Sequence, residues 1–403
     1  MKSQLESIAR KPILPPELIT VLGGGQLGSM LCEAAKRMGY RTLCVSSHES
    51  DPARRWADHH LIADPGEPAT AARVARQSAV VTVEAESIDP AALEAAANTP
   101  CRVAPSADVQ RTVRDRRLEK LFLRDHGLAV GPFATVESAK QMREAAEALF
   151  AAGARKLVAK TARGGYDGKG QRWLHSADES ADAWEALGST PLVLETGIDF
   201  VAEASVIVAR SADGRMTHFP VFQNEHRRGI LFQTRMPGDF PAATAARAIQ
   251  LGRRAAEALG VVGLLAVEMF ILPDGNVFIN ELAARPHNSG HVTMRAASRS
   301  QFEMHIAAIC GLPLPEIQTV QPGVMTNLLG DLWASGEPDF AHVLADGRGM
   351  IHLYGKAPRP GRKMGHIIHT ARTLAEAQEA ANAAFKLLEK PQFPATAGNL
   401  RMQ

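Results

Sequence analysis

The sequence predicts a multidomain protein of α/β and α+β class, with a parallel-sheet domain first, a larger mixed-sheet region second and a small domain last. Three observations predict it. The chain has 403 residues, and at roughly 100–200 residues per domain it divides into two to four units. Its N-terminal part alternates β-branched runs with alanine-rich helical stretches, as a parallel sheet with crossover helices does. Farther on, short apolar runs bounded by glycine turns suggest hairpins in a mixed sheet. The expected division is an N-terminal extension over 1–17, an α/β domain over 18–111, a second domain over 112–310 and a C-terminal domain over 311–403.

Composition narrows the function classes. Apolar residues make up 45% and charged residues 22%, which excludes a disordered chain, a collagen-like repeat and a membrane bundle. The net charge of +2 provides no global field for nucleic acid or an anionic membrane, so an anionic ligand must be held locally. Cys32, Cys44, Cys101 and Cys310 show no paired spacing, which fits a reducing cytoplasm. The stretch Met1–Leu18 is broken by Lys2, Glu6, Arg10, Lys11 and Glu17 and lacks the apolar core of a signal peptide. No membrane or nucleic-acid partner is expected.

The elements follow in order. Leu18–Leu22 reads as a strand, Gly23–Gly28 as a turn and the residues up to Gly39 as a helix; Thr42–Val45 and Ala79–Val83 are the next strands. A charged amphipathic helix over Asp115–Leu123 opens the second domain, with a further helix ending at Ala152. Strands are expected at Lys156–Lys160, Leu192–Glu195 and Ser205–Arg210, with a hairpin over Leu265–Asn280. Strands at Val324–Leu329, Met350–Tyr354 and His366–His369, then a helix over Leu374–Leu388, form the last unit.

Four segments carry chemistry. Gly23-x-Gly25-x-x-Gly28 lies between a strand and a helix, where backbone N–H groups face a phosphate. The second strand ends in Val45-Ser46-Ser47-His48, without the acidic residue that holds a dinucleotide ribose. A ligand-free turn, a dinucleotide and another phosphorylated small molecule remain the alternatives. Residues Thr161–Gln171 place Gly164, Gly165, Gly168 and Gly170 around Lys169, with Lys160 just upstream. That is a loop able to close over a triphosphate; it is not a Walker loop, and the alternative is a hairpin turn needing positive φ.

In the hairpin Ala266–Glu281 an Asp274-Gly275 turn sets Glu268 opposite Glu281, on the face that strict alternation gives to Phe270, Leu272, Val277 and Ile279. Two opposed carboxylates need a positive partner: Mg²⁺ bridging phosphates, or a cation such as Arg285. Arg285-Pro-His287-Asn288-Ser289-Gly-His291 follows as a donor-rich loop, with zinc or a plain polar loop as alternatives. Finally Lys356, Arg359, Arg362 and Lys363 share a proline-stiffened loop, either a solvated basic surface or a phosphate receptor.

Together GGYDGKGQ, NELAARPHNSGH and RPGRKMGH resemble the ATP-grasp superfamily and, within it, the 5-(carboxyamino)imidazole ribonucleotide synthase family of purine biosynthesis. The resemblance runs from about Ile19 to the last helix. It implies an ATP-grasp fold with an N-terminal Rossmann-like domain and a small C-terminal domain, ATP and Mg²⁺ as cofactors, and a cytoplasmic homodimer. It also implies the activity: bicarbonate is phosphorylated to carboxyphosphate, and the carboxyl group passes to the amine of 5-aminoimidazole ribonucleotide.

By the same resemblance, ATP is held by Arg116, Lys160, the loop Gly165, Tyr166, Asp167, Gly168, Lys169, Gly170 and Gln171, the hinge Glu195, Thr196, Gly197 and Ile198, and by Glu203, His226, Asn280 and Glu281. Asp167, Lys169, Arg285, His287 and Asn288 are its catalytic residues, and Glu268 and Glu281 its metal ligands. Gln26, Leu27, Glu84, Lys356, Arg362 and Lys363 hold the ribonucleotide. The family pattern E-L-A-P-R reads here with Ala284 in place of proline. A formate-using glycinamide ribonucleotide transformylase, another ATP-grasp ligase and a non-catalytic nucleotide binder stay open as alternatives.

Overall fold

A computed structural model describes residues 11–165, 168–345 and 347–389. Among these, the strands form three sheets. The first is parallel: β1 (Leu18–Leu22), β2 (Arg41–Ser46), β3 (His59–Ile62), β4 (Val80–Val83) and β5 (Arg102–Val103) lie in the order β3-β2-β1-β4-β5. β1 and β4 are buried along their whole length, so they read as continuous apolar runs, as sheets covered on both faces do. β3, His-His-Leu-Ile, is half-exposed at the sheet edge and carries no such run; the sequence reading passed over it. Residues ahead of Leu18 are also tied down: the Ile13 N–H donates to the Cys310 carbonyl at 2.8 Å, and the Tyr40 hydroxyl to the Ile13 carbonyl at 2.6 Å. Part of the extension expected over 1–17 thus packs on the first domain.

The second sheet holds β6 (Phe133–Val136), β7 (Leu157–Thr161), β8 (Gln171–Leu174) and β9 (Leu192–Thr196) in the order β6-β9-β7-β8. All its pairs are antiparallel, not mixed. The helix Ala139–Ala151 packs Met142 and Ala146 on its core.

The third sheet has nine strands: β10 (Ala202–Arg210), β11 (Met216–His218), β12 (Phe222–Arg227), β13 (Ile230–Met236), β14 (Gly263–Ile271), β15 (Val277–Ala283), β16 (Gly323–Leu329), β17 (Gly349–Leu353) and β18 (Lys363–Thr370). Its backbone order is β15-β14-β10-β12-β13-β16-β18-β17, with β11 on β10. The C-terminal strands thus build no sheet of their own; β13 pairs with β16 and carries the central sheet across. The helix Ala242–Leu259 covers one face through Ala248, Leu251, Ala255 and Ala256. On the other side Phe302, Ile306 and Ile309 of the helix Gln301–Cys310 meet the first sheet's core. Among the described residues no helix is long and apolar enough to cross a membrane.

Two short helices, Ala107–Arg114 and Arg116–Asp125, meet at Asp115, which caps the second by accepting the Arg117 N–H at 3.1 Å. The first runs through the division expected after residue 111. The second buries Glu119, Lys120 and Leu123 on the side that also carries Arg116, the spacing of one helical face. This face puts two cations and a carboxylate beneath the second and third sheets.

Candidate active site

A cavity of about 700 Å³ lies among the three sheets. Of the residues expected at the site it is lined by Gln26, Leu27, Glu84, Arg116, Lys160, Gly168, Lys169, Gly170, Gln171, Glu195, Thr196, Gly197, Ile198, Glu203, His226, Glu268, Asn280, Glu281, Arg285, His287, Asn288 and Lys363. Gly165, Lys356 and Arg362 stand outside this lining. The Gly165 carbonyl accepts from Arg116 Nη2 at 3.3 Å, Lys356 Nζ donates to Gln26 Oε1, and Arg362 turns back onto the Ala357 carbonyl at 3.0 Å. Tyr166 and Asp167 lie outside the described residues.

One end of the cavity is apolar. Val158, Trp173, Ile198, Phe200, Leu231, Phe270 and Ile279 line it, and the Phe200 and Phe270 rings stack 4.6 Å apart at 10°. At the nearby rim His226 Nδ1 lies 2.7 Å from Glu203 Oε2. Such walls with a few polar groups suit a heteroaromatic base and its sugar. Sequence reasoning missed Trp173 and Phe200, exposed aromatics that sit in no motif.

Below this lies a buried charge cluster. Glu195 accepts from Lys120 Nζ at 2.9 Å and Lys160 Nζ at 3.0 Å. Burial pushes its carboxyl up, but the two ammonium groups overcome this and hold it at about 2. The side chain expected at the hinge is therefore spent on two lysines. Burial also draws the Lys160 ammonium below its usual range, against the pull of Glu195. Lys120, which the sequence reading missed, was legible as the residue four beyond Arg116 on one helix face.

Glu268 and Glu281 are cross-strand partners, as expected, but by a different route. The turn is longer by one residue: the Leu272 N–H donates to the Asn276 carbonyl, leaving Pro273, Asp274 and Gly275 in the loop. A β-bulge then inserts Asn280 opposite the Glu268/Met269 step and restores the register. Val277 and Ile279 consequently join Met269 and Ile271 in the core, on the face opposite Phe270. The bulged Asn280 accepts from Lys120 Nζ on its carbonyl at 2.9 Å and from Lys160 Nζ on its Oδ1 at 3.3 Å.

Each glutamate has a protein hydrogen-bond donor beside it. Arg116 Nη1 binds Glu281 Oε2 at 2.7 Å, and His287 Nε2 lies 3.2 Å from Glu268 Oε1. The Ser289 N–H donates to His287 Nδ1, which leaves the ring proton on Nε2, toward Glu268. Burial raises the Glu268 carboxyl, and the hydrogen bond from His287 outweighs this and holds it below its usual range. Arg285, offered as a partner for these glutamates, instead binds Glu86 Oε1 at 2.5 Å. No group of three or more His, Cys, Asp or Glu side chains able to hold a metal exists among the described residues, which leaves no support for zinc at His287 and His291. Two carboxylates facing one cavity do fit Mg²⁺, which takes its other ligands from phosphate and water.

The glycine turn is filled from within. Glu84 accepts the Gly25 and Gly28 N–H groups, the latter at 2.6 Å. A Cβ at Gly28 would come within 2.5 Å of the Gly23 carbonyl oxygen. The turn is shaped to receive the chain's own carboxylate, which takes the amide donors a ligand phosphate would use. Asn288 has both carboxamide atoms buried without a partner among the described residues.

Comparison with known proteins accounts for nearly the whole chain. Residues 17–113 match the ribonucleotide synthetase preATP-grasp domain, 121–302 the ATP-grasp domain and 323–380 the phosphoribosylaminoimidazole carboxylase C-terminal domain. An N5-carboxyaminoimidazole ribonucleotide synthase of Bacillus subtilis is 36% identical over 361 residues, 89% of this chain and 93% of the relative. That of Brucella melitensis is 37% identical over 356 residues, 88% and 96% of the two chains. A solved ADP complex of an N5-carboxyaminoimidazole ribonucleotide synthetase superposes with a TM-score of 0.87 at 36% identity, covering 93% of this chain and 98% of that one. An Aspergillus clavatus synthase bound to ADP and 5-aminoimidazole ribonucleotide gives 0.82 at 31% identity, with 93% and 98% coverage.

Proposed function

This chain belongs to the N5-carboxyaminoimidazole ribonucleotide synthase family, and from that premise we propose how its cavity carries out the ATP-dependent carboxylation of 5-aminoimidazole ribonucleotide. The enzyme is an ATP-grasp ligase of purine biosynthesis that uses ATP and Mg²⁺. One observation carries the assignment of roles: a single cavity is lined by aromatic side chains, by lysines and carboxylates, and by the donor loop.

ATP lays its base against Phe200 and Phe270 and its ribose at Glu203 and His226. Lys160 and Arg116 meet the phosphates. Glu268 and Glu281 hold Mg²⁺, which when bound neutralises phosphate charge. A bicarbonate oxygen attacks the γ-phosphorus and the bond to the β-phosphate oxygen breaks, giving carboxyphosphate and ADP. The ribonucleotide amine then attacks the carboxyl carbon, phosphate leaves, and the amine gives up a proton. Arg285, fixed by Glu86, and Asn288 supply donors to the carboxyl oxygens as charge develops there. Lys356 and Lys363 hold the ribonucleotide phosphate from the C-terminal side, with Glu84 closing the glycine turn beside it. No protein nucleophile is needed, so catalysis is positioning and charge neutralisation. The cysteine usage supports a cytoplasmic setting, and a homodimer is the assembly proposed.

Bicarbonate labelled with heavy oxygen tests this sequence of steps. One labelled oxygen in the released phosphate is expected for each turnover; unlabelled phosphate would exclude carboxyphosphate.

A further inference from the structure

Behind the cavity, the donor loop and the C-terminal strands meet in a buried set of rings that the mechanism above does not use. His291 ends the donor loop and is fully buried. Its ring stacks on His366 of β18 at 4.7 Å and 23°, and His366 in turn stacks on His352 of β17, its cross-strand partner, at 5.3 Å and 7°. The Tyr354 hydroxyl lies 2.8 Å from His366 Nδ1, and Lys356 Nζ sits 5.4 Å above the Tyr354 ring.

On its other side His291 meets Gln301. The orientation of that amide is fixed: its Oε1 accepts the His287 N–H at 2.8 Å, and its Nε2 donates to the His287 carbonyl at 2.7 Å. It therefore presents an N–H to His291 Nδ1, 3.2 Å away, and His291 must be the neutral Nε2–H tautomer. A second proton on His291 would set two donors face to face and pull Gln301 from the residue that holds Glu268.

We propose that His291, Gln301, His366 and Tyr354 are positioning residues that couple the ribonucleotide loop to the carboxylate end of the site. The path runs from Lys356 through the Tyr354 ring and hydroxyl to His366, across the stack to His291, and through Gln301 to the backbone of His287. It rests on the functional reading above and extends it to residues that touch no substrate. The groups facing His291 are His287 from its own loop, His352 and Tyr354 at β17, and His366 and Lys363 of β18; none supplies a negative charge to stabilise a protonated ring. Burial and these neighbours hold His291 well below its usual range, so the device works with neutral rings and fails in acid.

Two substitutions test it. His291→Phe keeps the stack and removes the Gln301 contact; Tyr354→Phe removes one hydroxyl. The expected results are a fall in kcat of about tenfold for His291→Phe with the ATP KM changed less than about twofold, and a rise in the ribonucleotide KM for Tyr354→Phe. The double variant should lose less than the product of the two, and His291→Phe should flatten the acid limb of the kcat profile below about pH 6. Multiplying effects, or an acid limb unchanged in His291→Phe, would overturn the proposal, as would a lowered melting temperature with unchanged kinetics. If His291→Phe does not fold, Gln301→Met replaces it with the same kinetic expectations. Failure here is distinct from failure of the functional reading: the latter shows as wild-type turnover indifferent to aminoimidazole ribonucleotide, whereas coupling is scored on whatever ATP turnover the wild type supports.

Discussion

Glu84 and Gly28, 56 residues apart, are joined by a 2.6 Å hydrogen bond in which a side-chain carboxylate takes the place of a ligand at a helix N-terminus. The fingerprint Gly23-x-Gly25-x-x-Gly28 is real as geometry, and its donors are already used. Desolvation raises the Glu84 carboxyl above its ordinary value although the Gly28 and Gly25 amides oppose this. Glu84→Ala should therefore cost about 1–3 kcal/mol of stability, since it strands both amides. Denaturant unfolding at neutral pH measures this, and an unchanged midpoint would show that water replaces the carboxylate freely.

Glu268→Gln and Glu281→Gln should each lower kcat sharply and raise the Mg²⁺ concentration needed for half-maximal rate, while leaving the fold intact. Both carboxylates face the cavity beside a donor that survives the change, Arg116 or His287. Magnesium titrations of turnover decide the matter; identical titration curves for both variants and wild type would remove the pair from the metal site.

Lys356 is drawn down to about 8 by burial, with Arg362 adding to the shift. Its ammonium is charged below that value and neutral above it. Binding of the ribonucleotide phosphate should weaken as pH rises from about 7 to about 9, seen as a rising KM for that substrate with the ATP KM steady. Lys356→Arg, which stays charged, should move the rise to higher pH.

Lys363→Ala should raise the ribonucleotide KM and spare that of ATP, whereas Arg285→Ala should depress kcat, because its donor acts when charge develops on the carboxyl group. Varying each substrate separately distinguishes the two. Weakened ATP binding in Lys363→Ala would reassign the C-terminal loop.

The parallel first sheet and the glutamate hairpin were legible in the sequence because each depends on local pattern: continuous apolar strands, and a turn dipeptide between alternating runs. The hairpin also shows the limit. An extra turn residue and the Asn280 bulge each shift register by one, and the Glu268–Glu281 pairing was expected only because the two shifts cancel. Strands β12 and β13 went unread, since their interior is polar: Asn224 is buried through hydrogen bonds to Ser205 and Thr234, which no hydrophobic period reveals. Glu86 was missed for another reason. Its role comes from Arg285, far along the chain, and from Gln110, whose amide donates to the Ala85, Glu86 and Ile88 carbonyls and fixes that loop. Long-range partners of this kind are set by topology.

The central claim is that one cavity joins ATP cleavage to carboxylation of 5-aminoimidazole ribonucleotide, and ADP release with each substrate omitted in turn tests it most directly. The account predicts rapid ADP release only when ATP, Mg²⁺, bicarbonate and the ribonucleotide are all present. Equal release without the ribonucleotide, or release that requires glycinamide ribonucleotide and formate instead, would contradict it.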